Sequence, residues 1–330
     1  MKSRHAAAAL LLAALAGGCG AAASAGGGGP VLRYAYQPGQ TLAYDMEASL
    51  RLDMTAEGDE AAAVGMDYSM VMAVTARLDL AFAPGPSPDT IEITLAQELL
   101  EGGASVTTMG QELLLTLEDL AAEMDREVVL VVDPQGRAVS ATVDGIALPA
   151  QLLAGVSGFG GSDMLTPSRL GPEFPATGLE VGTEWETEDS TEVLGLAYDQ
   201  HGSHRVVGQE ELGGRAVYRI DSRLTTGAMR ADLAALMEEL QAAPELLRGT
   251  DPAQLDAALA QFQMMGVSIT MVMEESTALM TTWFDPAAGI VVRAVLETPM
   301  TLRMTMRGFP GSDVEVVMEM VTEQRLDLAL

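Results

Sequence analysis

From Gln40 onward the chain alternates apolar and polar residues with a period of two, for longer than an ordinary strand lasts. Leu42, Tyr44, Met46, Ala48, Leu50, Leu52 and Met54 fill every even position, with Asp45, Glu47, Ser49, Arg51 and Asp53 between them. Met66, Tyr68, Met70, Met72, Val74, Ala76, Leu78, Leu80 and Phe82 repeat the pattern. Side chains of a strand point alternately to its two faces, so this pattern dictates half-buried antiparallel strands, each with one wet face. At ~3.3 Å per residue the first run alone is about 43 Å long. Strands of that length twist and curl, and their apolar face needs covering by closure, by a second sheet or by helices.

The same spacing predicts strands at Thr90–Leu100, Ser105–Leu115, Glu127–Val132 and Arg137–Val143. After a Gly/Pro/Ser-rich stretch at 155–178 it predicts Trp185–Tyr198, Arg205–Gln209, Ala216–Leu224, Val267–Phe284, Ile290–Val295, Met300–Met306 and Val314–Leu328. Two short echoes suggest duplication. Gln37-Pro38-Gly39-Gln40 leads into a long strand as Glu180-Val181-Gly182-Thr183 does, and Asp133-Pro134-Gln135-Gly136 corresponds to Asp285-Pro286-Ala287-Ala288-Gly289. The expected architecture is mainly β: long curled antiparallel sheets in two related halves, 31–154 and 179–330, as two domains or one composite sheet.

Residues 226–265 break the β pattern. Met229, Leu233, Leu236, Met237 and Leu240 follow helical spacing. Asp251 fits an N-cap with Pro252 at the first helical position, ahead of Leu255, Leu259, Phe262 and Met265 on one face. An amphipathic helical pair inserted here would cover an apolar sheet and make the chain α+β by content. Leu117–Met124 is a shorter helical candidate in the first half.

The N-terminus sets the compartment. Lys2, Arg4 and His5 precede an unbroken apolar run from Ala6 to Ala16, the dimensions of a signal-peptide core rather than a membrane span. The run ends Leu15-Ala16-Gly17-Gly18-Cys19, and Cys19 is the single Cys of the chain. That ending resembles a bacterial lipobox, which implies signal peptide 1–18, lipidation of Cys19 and a flexible Gly/Ala tether over 19–30. Gly20 stands where an inner-membrane retention signal would place Asp, so the expected location is the outer membrane, facing the periplasm.

Charge then excludes classes of function. The chain carries 47 Asp and Glu against 18 Lys and Arg. Cleavage after residue 18 removes Lys2, the only Lys, and leaves a formal charge of −31. Nucleic acid is no partner for such a surface, and Schiff-base, P-loop and Ser–Lys chemistries have no Lys to use. Ser157 and Ser162 sit among glycines without forming a nucleophile elbow. No cofactor signature is present, and a non-catalytic protein is expected.

The chain resembles an uncharacterised group of bacterial lipoproteins through its lipobox, Tyr34, Tyr36, Pro38, Gly39 and Tyr44, then Gly182, Thr183 and Trp185. That resemblance implies two similar β-rich halves and no particular activity. In architecture alone it is similar to half-barrel lipid carriers of the LolA, LolB and LppX type, in which a curled sheet and helical plugs enclose acyl chains.

Methionine is the unusual residue, 21 of them beside only 6 Phe and 6 Tyr. Met70/Met72, Met271/Met273, Met304/Met306 and Met318/Met320 are each spaced so that both members share a strand face. Three readings fit: ordinary core filling, a deformable apolar cavity, or a thioether site for Cu(I). The favoured one is a cavity for a lipid-like ligand between sheet and helices, lined by Met237, Leu240, Leu259, Phe262, Met271, Met273, Met304, Met306, Met318 and Met320. The alternative is a solid-core structural or interaction lipoprotein whose acidic surface meets partners. His201-Gly202-Ser203-His204 beside Asp199 reads as a hairpin turn rather than a zinc site, and the acidic stretch Glu57–Glu60 as a solvated loop. A transmembrane barrel is disfavoured because the wet faces bear Asp, Glu and Arg and aromatics are too few for interfacial girdles.

Overall fold

The computed structural model describes residues 29–57, 68–108, 111–118, 127–136, 138–143, 145–148, 171–193, 196–232, 268–307 and 314–329. Strands make up the first half as β1 (Thr41–Glu57), β2 (Tyr68–Pro84), β3 (Ile91–Thr108), β4 (Gln111–Leu115), β5 (Val128–Val132), β6 (Ala138–Val143) and β7 (Ile146–Leu148). The second half supplies β8 (Glu184–Val193), β9 (Leu196–Leu212), β10 (Arg215–Thr226), β11 (Met229–Asp232), β12 (Ser268–Met273), β13 (Ser276–Asp285), β14 (Ile290–Arg307) and β15 (Val314–Leu328). All belong to one antiparallel sheet of order β7-β6-β5-β3-β2-β1-β15-β14-β13-β10-β9-β8, with β4 on β3 and β11–β12 on β14. The halves meet at its centre, where β1 and β15 pair from Tyr44↔Leu328 to Glu57↔Glu315.

Alternation fixes the two faces. On β1, β2, β14 and β15 every Asp, Glu and Arg occupies an odd-numbered position. The even positions carry the buried Tyr44, Met46, Leu50, Val74, Leu78, Leu80, Val316, Met320 and Leu326. A shift of register by one residue would bury the charges, so this segregation pins the pairing.

Several expected boundaries are corrected. Thr90–Leu100 and Ser105–Leu115 are not a pair of strands; β3 runs through, with a bulge at Leu100, because Thr75 pairs with Glu101 while Ala76 pairs with Leu99. The bulge moves the inward set from Ile93 and Leu95 to Ala104 and Val106, which in sequence looks like a break. Gly102 sits just beyond it at φ +137, where a Cβ would lie 2.4 Å from the Ala73 carbonyl oxygen. Trp185–Tyr198 is likewise two strands, β8 and β9, and His201–His204 lies inside β9 rather than in a turn.

In the C-terminal half Val267–Phe284 splits into β12 and β13, whereas Ile290–Val295 and Met300–Met306 are the single strand β14. The reason is Pro299. On one side β14 pairs with β13 up to Glu297 and with β12 from Leu302, and Pro299 falls in the interval between them. Its carbonyl accepts the Ser276 hydroxyl there, so its missing N–H faces the one place where no ladder partner is needed. Mainly β is the observed class. Of the expected helical insert, residues 229–232 are extended instead, with Met229 and Ala231 paired to Met273 and Met271. Residues 233–267, including Met237, Leu240, Leu259 and Phe262, lie outside the described residues, as do 119–126 of the shorter helical candidate and Cys19 of the N-terminal segment.

One end of the inner face is filled by chain rather than by strands. Tyr34 donates its amide to Pro134 O at 3.1 Å, and Ala35 donates to Gly289 O at 3.0 Å, so adjacent residues bridge both Asp-Pro turns. The entries to β1 and β8 use the same three bonds. Gly39 N to Phe82 O, Gln40 N to Gln37 O and Phe82 N to Gln40 O match Gly182 N to Val206 O, Thr183 N to Glu180 O and Val206 N to Thr183 O. Between them Tyr34 packs on Tyr36, Phe174 and Phe284, with ring centroids 5.0–5.5 Å apart. The Tyr34 hydroxyl donates to Pro172 O at 2.9 Å, and the Tyr44 hydroxyl to Val291 O at 2.8 Å, both buried.

Candidate ligand-binding face

Away from this aromatic end the inner face becomes a field of methionines, assembled by register from strands distant in sequence. One row across the sheet reads Met70, Leu52, Met320, Met300. The next reads Tyr68, Met54, Met318, Leu302, Met273, Met229. The third reads Ala56, Val316, Met304, Met271, and a fourth begins Val314, Met306, Ile269. Direct cross-strand neighbours have Cβ atoms roughly 5 Å apart. Met273, Met306 and Met320 are buried, while Met54, Met70, Met271, Met300, Met304 and Met318 are half-buried. The Tyr68 hydroxyl lies 3.5 Å from Met70 Sδ.

All six described members of the expected lining, Met271, Met273, Met304, Met306, Met318 and Met320, therefore share this field. Met54, Met229 and Met300 belong to it too and were missed. Met54 was legible as an even position of β1. Met300 was equally legible, as an even position of the expected strand Met300–Met306, whereas Met229 was hidden because its spacing to Leu233 and Leu236 reads as a helix.

A belt of polar groups, with no carboxylate or guanidinium among them, separates the methionines from the aromatic end. Thr298 and Thr322 face each other across β14 and β15, and Gln324 lies two residues further along the same face. Thr322 and Gln324 are each 7% exposed. The belt continues across the sheet in the row Gln324, Leu296, Met280, Ser222, His204, Trp185. His204 is buried, with Nδ1 2.8 Å from Ser222 Oγ, Nε2 3.0 Å from Thr187 Oγ1, and its ring stacked on Trp185 at 5.0 Å. It lies three positions after His201, an odd offset along the strand, so the two imidazoles point to opposite faces and His201 is exposed. They do not converge on a metal, and among the described residues no three His, Cys, Asp or Glu are grouped to hold one.

On the described residues of β1, β2, β14 and β15, charge is confined to the other face. Arg51 donates to Asp53 at 2.7 Å, and that hydrogen bond, with one from Ser69, holds the Asp53 carboxyl below its usual range. Arg303 pairs with Glu274 and Glu315. A groove of about 740 Å³ crosses the sheet at β3, β2, β1, β15 and β14, lined by Glu47, Glu101, Glu297, Glu323 and Arg325 among others. These are exposed odd-numbered residues, so the groove opens on the charged outer face. At the aromatic end, burial raises the Tyr36 phenol well above its usual range, helped by Tyr34 and Tyr44, and burial alone raises Tyr44.

No protein-family model matches the chain, and no curated protein does. Among solved structures, an outer membrane channel of Pseudomonas putida F1 is 6% identical with a TM-score of 0.22, over 89% of this chain and 97% of that one. OccK11 (OpdR) of Pseudomonas aeruginosa is 9% identical with a TM-score of 0.22, over 90% and 100%. A loop-deletion mutant of the outer membrane protein OmpT of Vibrio cholerae is 10% identical with a TM-score of 0.14, over 87% and 100%. Scores of this size do not mark a shared fold.

Proposed function

We propose that the protein is a non-catalytic cell-envelope lipoprotein, acylated at Cys19 and facing the periplasm from the outer membrane, that binds or carries an apolar, lipid-like ligand on its methionine field. The observation that carries this reading is the convergence of methionines from β1, β2, β11, β12, β14 and β15 on one uncharged patch, several of them half-buried. Thioether side chains have three rotatable bonds and polarizable sulfur, so such a surface reshapes itself around chains of differing length. Close packing of the aromatic end leaves the methionine end as the part of the inner face suited to exchange. The chain also leaves β11 at Asp232 and re-enters β12 at Ser268, both at the border of the field.

Native mass spectrometry of the full chain, with Cys19→Ser to keep it free of its own acyl groups, tests the reading when followed by organic extraction and lipid analysis. A stoichiometric co-purified lipid, lost on changing Met304 and Met318 to Gln, is the expected result. A clean apo mass with no uptake of added lipid would refute it. The acidic outer groove would then favour an interaction lipoprotein that captures a basic partner in a salt-sensitive way.

A further inference from the structure

We infer that the methionine field is a modification site: an oxidant of the hypohalous-acid class converts its half-buried thioethers to sulfoxides, and the oxygenated field releases its apolar ligand. The release rests on the reading of the field as a ligand face; the modification stands on the distribution of sulfur alone. Cys19 is the single Cys of the chain, so methionine supplies the oxidisable sulfur of the described strands. Exposure is sorted among those methionines. Every described one that is half-buried belongs to the field, Met229 included, whereas Met46, Met72 and Met280, outside it, are buried at 1%, 6% and 3% exposure. Tight packing shields the thioethers elsewhere, and one uncharged patch presents the rest.

In the chemical step a sulfur lone pair attacks the oxygen of hypochlorous acid. An S–O bond forms, the O–Cl bond breaks, and chloride and a proton leave, so sulfur is oxidised and chlorine reduced. The product is a strong hydrogen-bond acceptor on a side chain that was apolar. Register decides what that acceptor meets. Met54 faces Met318, Met300 faces Met320 and Met271 faces Met304 across neighbouring strands, so each new oxygen lies against a second thioether. Leu52, Leu302 and Val316, in the same rows, have no side-chain donor to offer. The Tyr68 hydroxyl, already 3.5 Å from Met70 Sδ, is the donor of these rows and serves one position. A sulfoxide elsewhere in the field is satisfied by water, and an apolar chain laid over it would strip that water away at a cost. Oxidation therefore wets the surface that an apolar ligand needs dry.

The test titrates the Cys19→Ser full chain, which has no thiol to compete, with hypochlorous acid, and maps added oxygen by peptide mass spectrometry. Met54, Met70, Met300, Met304 and Met318 are expected to oxidise about tenfold faster than Met46, Met72 and Met280. Dioleoylglycerol retention, read by native mass spectrometry, is expected to fall about tenfold or more with the strand circular dichroism kept. Reduction by methionine sulfoxide reductases A and B together should restore it. The variant Met300→Leu, Met304→Leu, Met318→Leu is compared with itself before and after oxidant, and its retention should fall by less than about threefold. Equal oxidation of Met46, Met72 and Met280 would overturn the modification site. Retention unchanged in the sulfoxide form, or lost together with the strand signal, would overturn release at the field. Selective oxidation of a chain that holds no dioleoylglycerol beforehand would overturn the ligand reading, and release with it, while supporting the modification site.

Discussion

The N-terminal segment is locked to the second Asp-Pro turn so closely that one methyl group should measure the lock. Gly289 has φ +68, its carbonyl accepts the Ala35 amide at 3.0 Å, and a Cβ placed on it would lie 2.3 Å from Ala35 Cβ and 2.6 Å from Ala35 N. Gly289→Ala therefore adds two costs. A positive φ in an L-residue costs about 1–2 kcal/mol. Because the obstructing atoms are the Ala35 backbone and its Cβ, which has no rotamers, the overlap cannot be relieved by a rotamer change, and overpacking of this kind costs a further ~1–3 kcal/mol. Gly214, in the β9–β10 turn, separates these effects, since it has φ +75 but nothing within 4 Å of its Cβ. Urea unfolding followed by tryptophan fluorescence is expected to show a loss of about 1–2 kcal/mol for Gly214→Ala and about 2–5 kcal/mol for Gly289→Ala. Equal losses would refute the close seating of residues 34–36 on the turn.

Other expectations follow from single side chains. Thr282 is wholly buried and its hydroxyl has no hydrogen-bond partner, so Thr282→Val is expected to stabilise by roughly 1–2 kcal/mol in the same assay. Tyr36 and Tyr44 are buried with raised pKa values, so their stabilising contribution is complete below the ordinary phenol value and is lost as pH rises above it. Stability should thus fall above about pH 10, by ~1.4 kcal/mol per pH unit for each phenol, and tyrosinate absorbance should appear together with unfolding. Asp285 caps its turn by accepting the amides of Ala287 at 2.9 Å and Ala288 at 3.0 Å, and it binds Arg215 at 2.9 Å. Asp285→Ala should cost about 2–4 kcal/mol, whereas Asp53→Ala on the exposed face should cost under ~1 kcal/mol.

The sequence speaks most clearly where alternation is unbroken. Strands β1 and β2 and their inward sets follow from parity alone, because a single slipped residue would bury Asp45, Glu47 and Arg51. It is silent wherever the ladder changes partner. Leu100 and Pro299 both look like strand ends, yet a bulge absorbs the first and the gap between β12 and β13 accommodates the second. Gly202-Ser203 looks like a turn, but Gly202 is needed in β9 because a Cβ there would sit 2.3 Å from Thr187 Oγ1. The methionine pairs were readable from their spacing of two. Their assembly was not, since it depends on β11 and β12 joining the edge of β14 and on β1 meeting β15, contacts between segments far apart in sequence. The polar belt was invisible for the same reason. Thr298, Thr322 and Gln324 are ordinary residues until register lines them up.

The claim that the methionine field is the ligand face is tested most directly by NMR of the full chain, Cys19→Ser, with 13C-labelled methionine methyls and dioleoylglycerol added. Shifts confined to the field, Met54, Met70, Met229, Met271, Met273, Met300, Met304, Met306, Met318 and Met320, assigned by single Met→Leu substitutions, are what the account requires, with Met46 near the aromatic end unmoved. Saturable binding that leaves the field methyls untouched, or no binding at all, would contradict it.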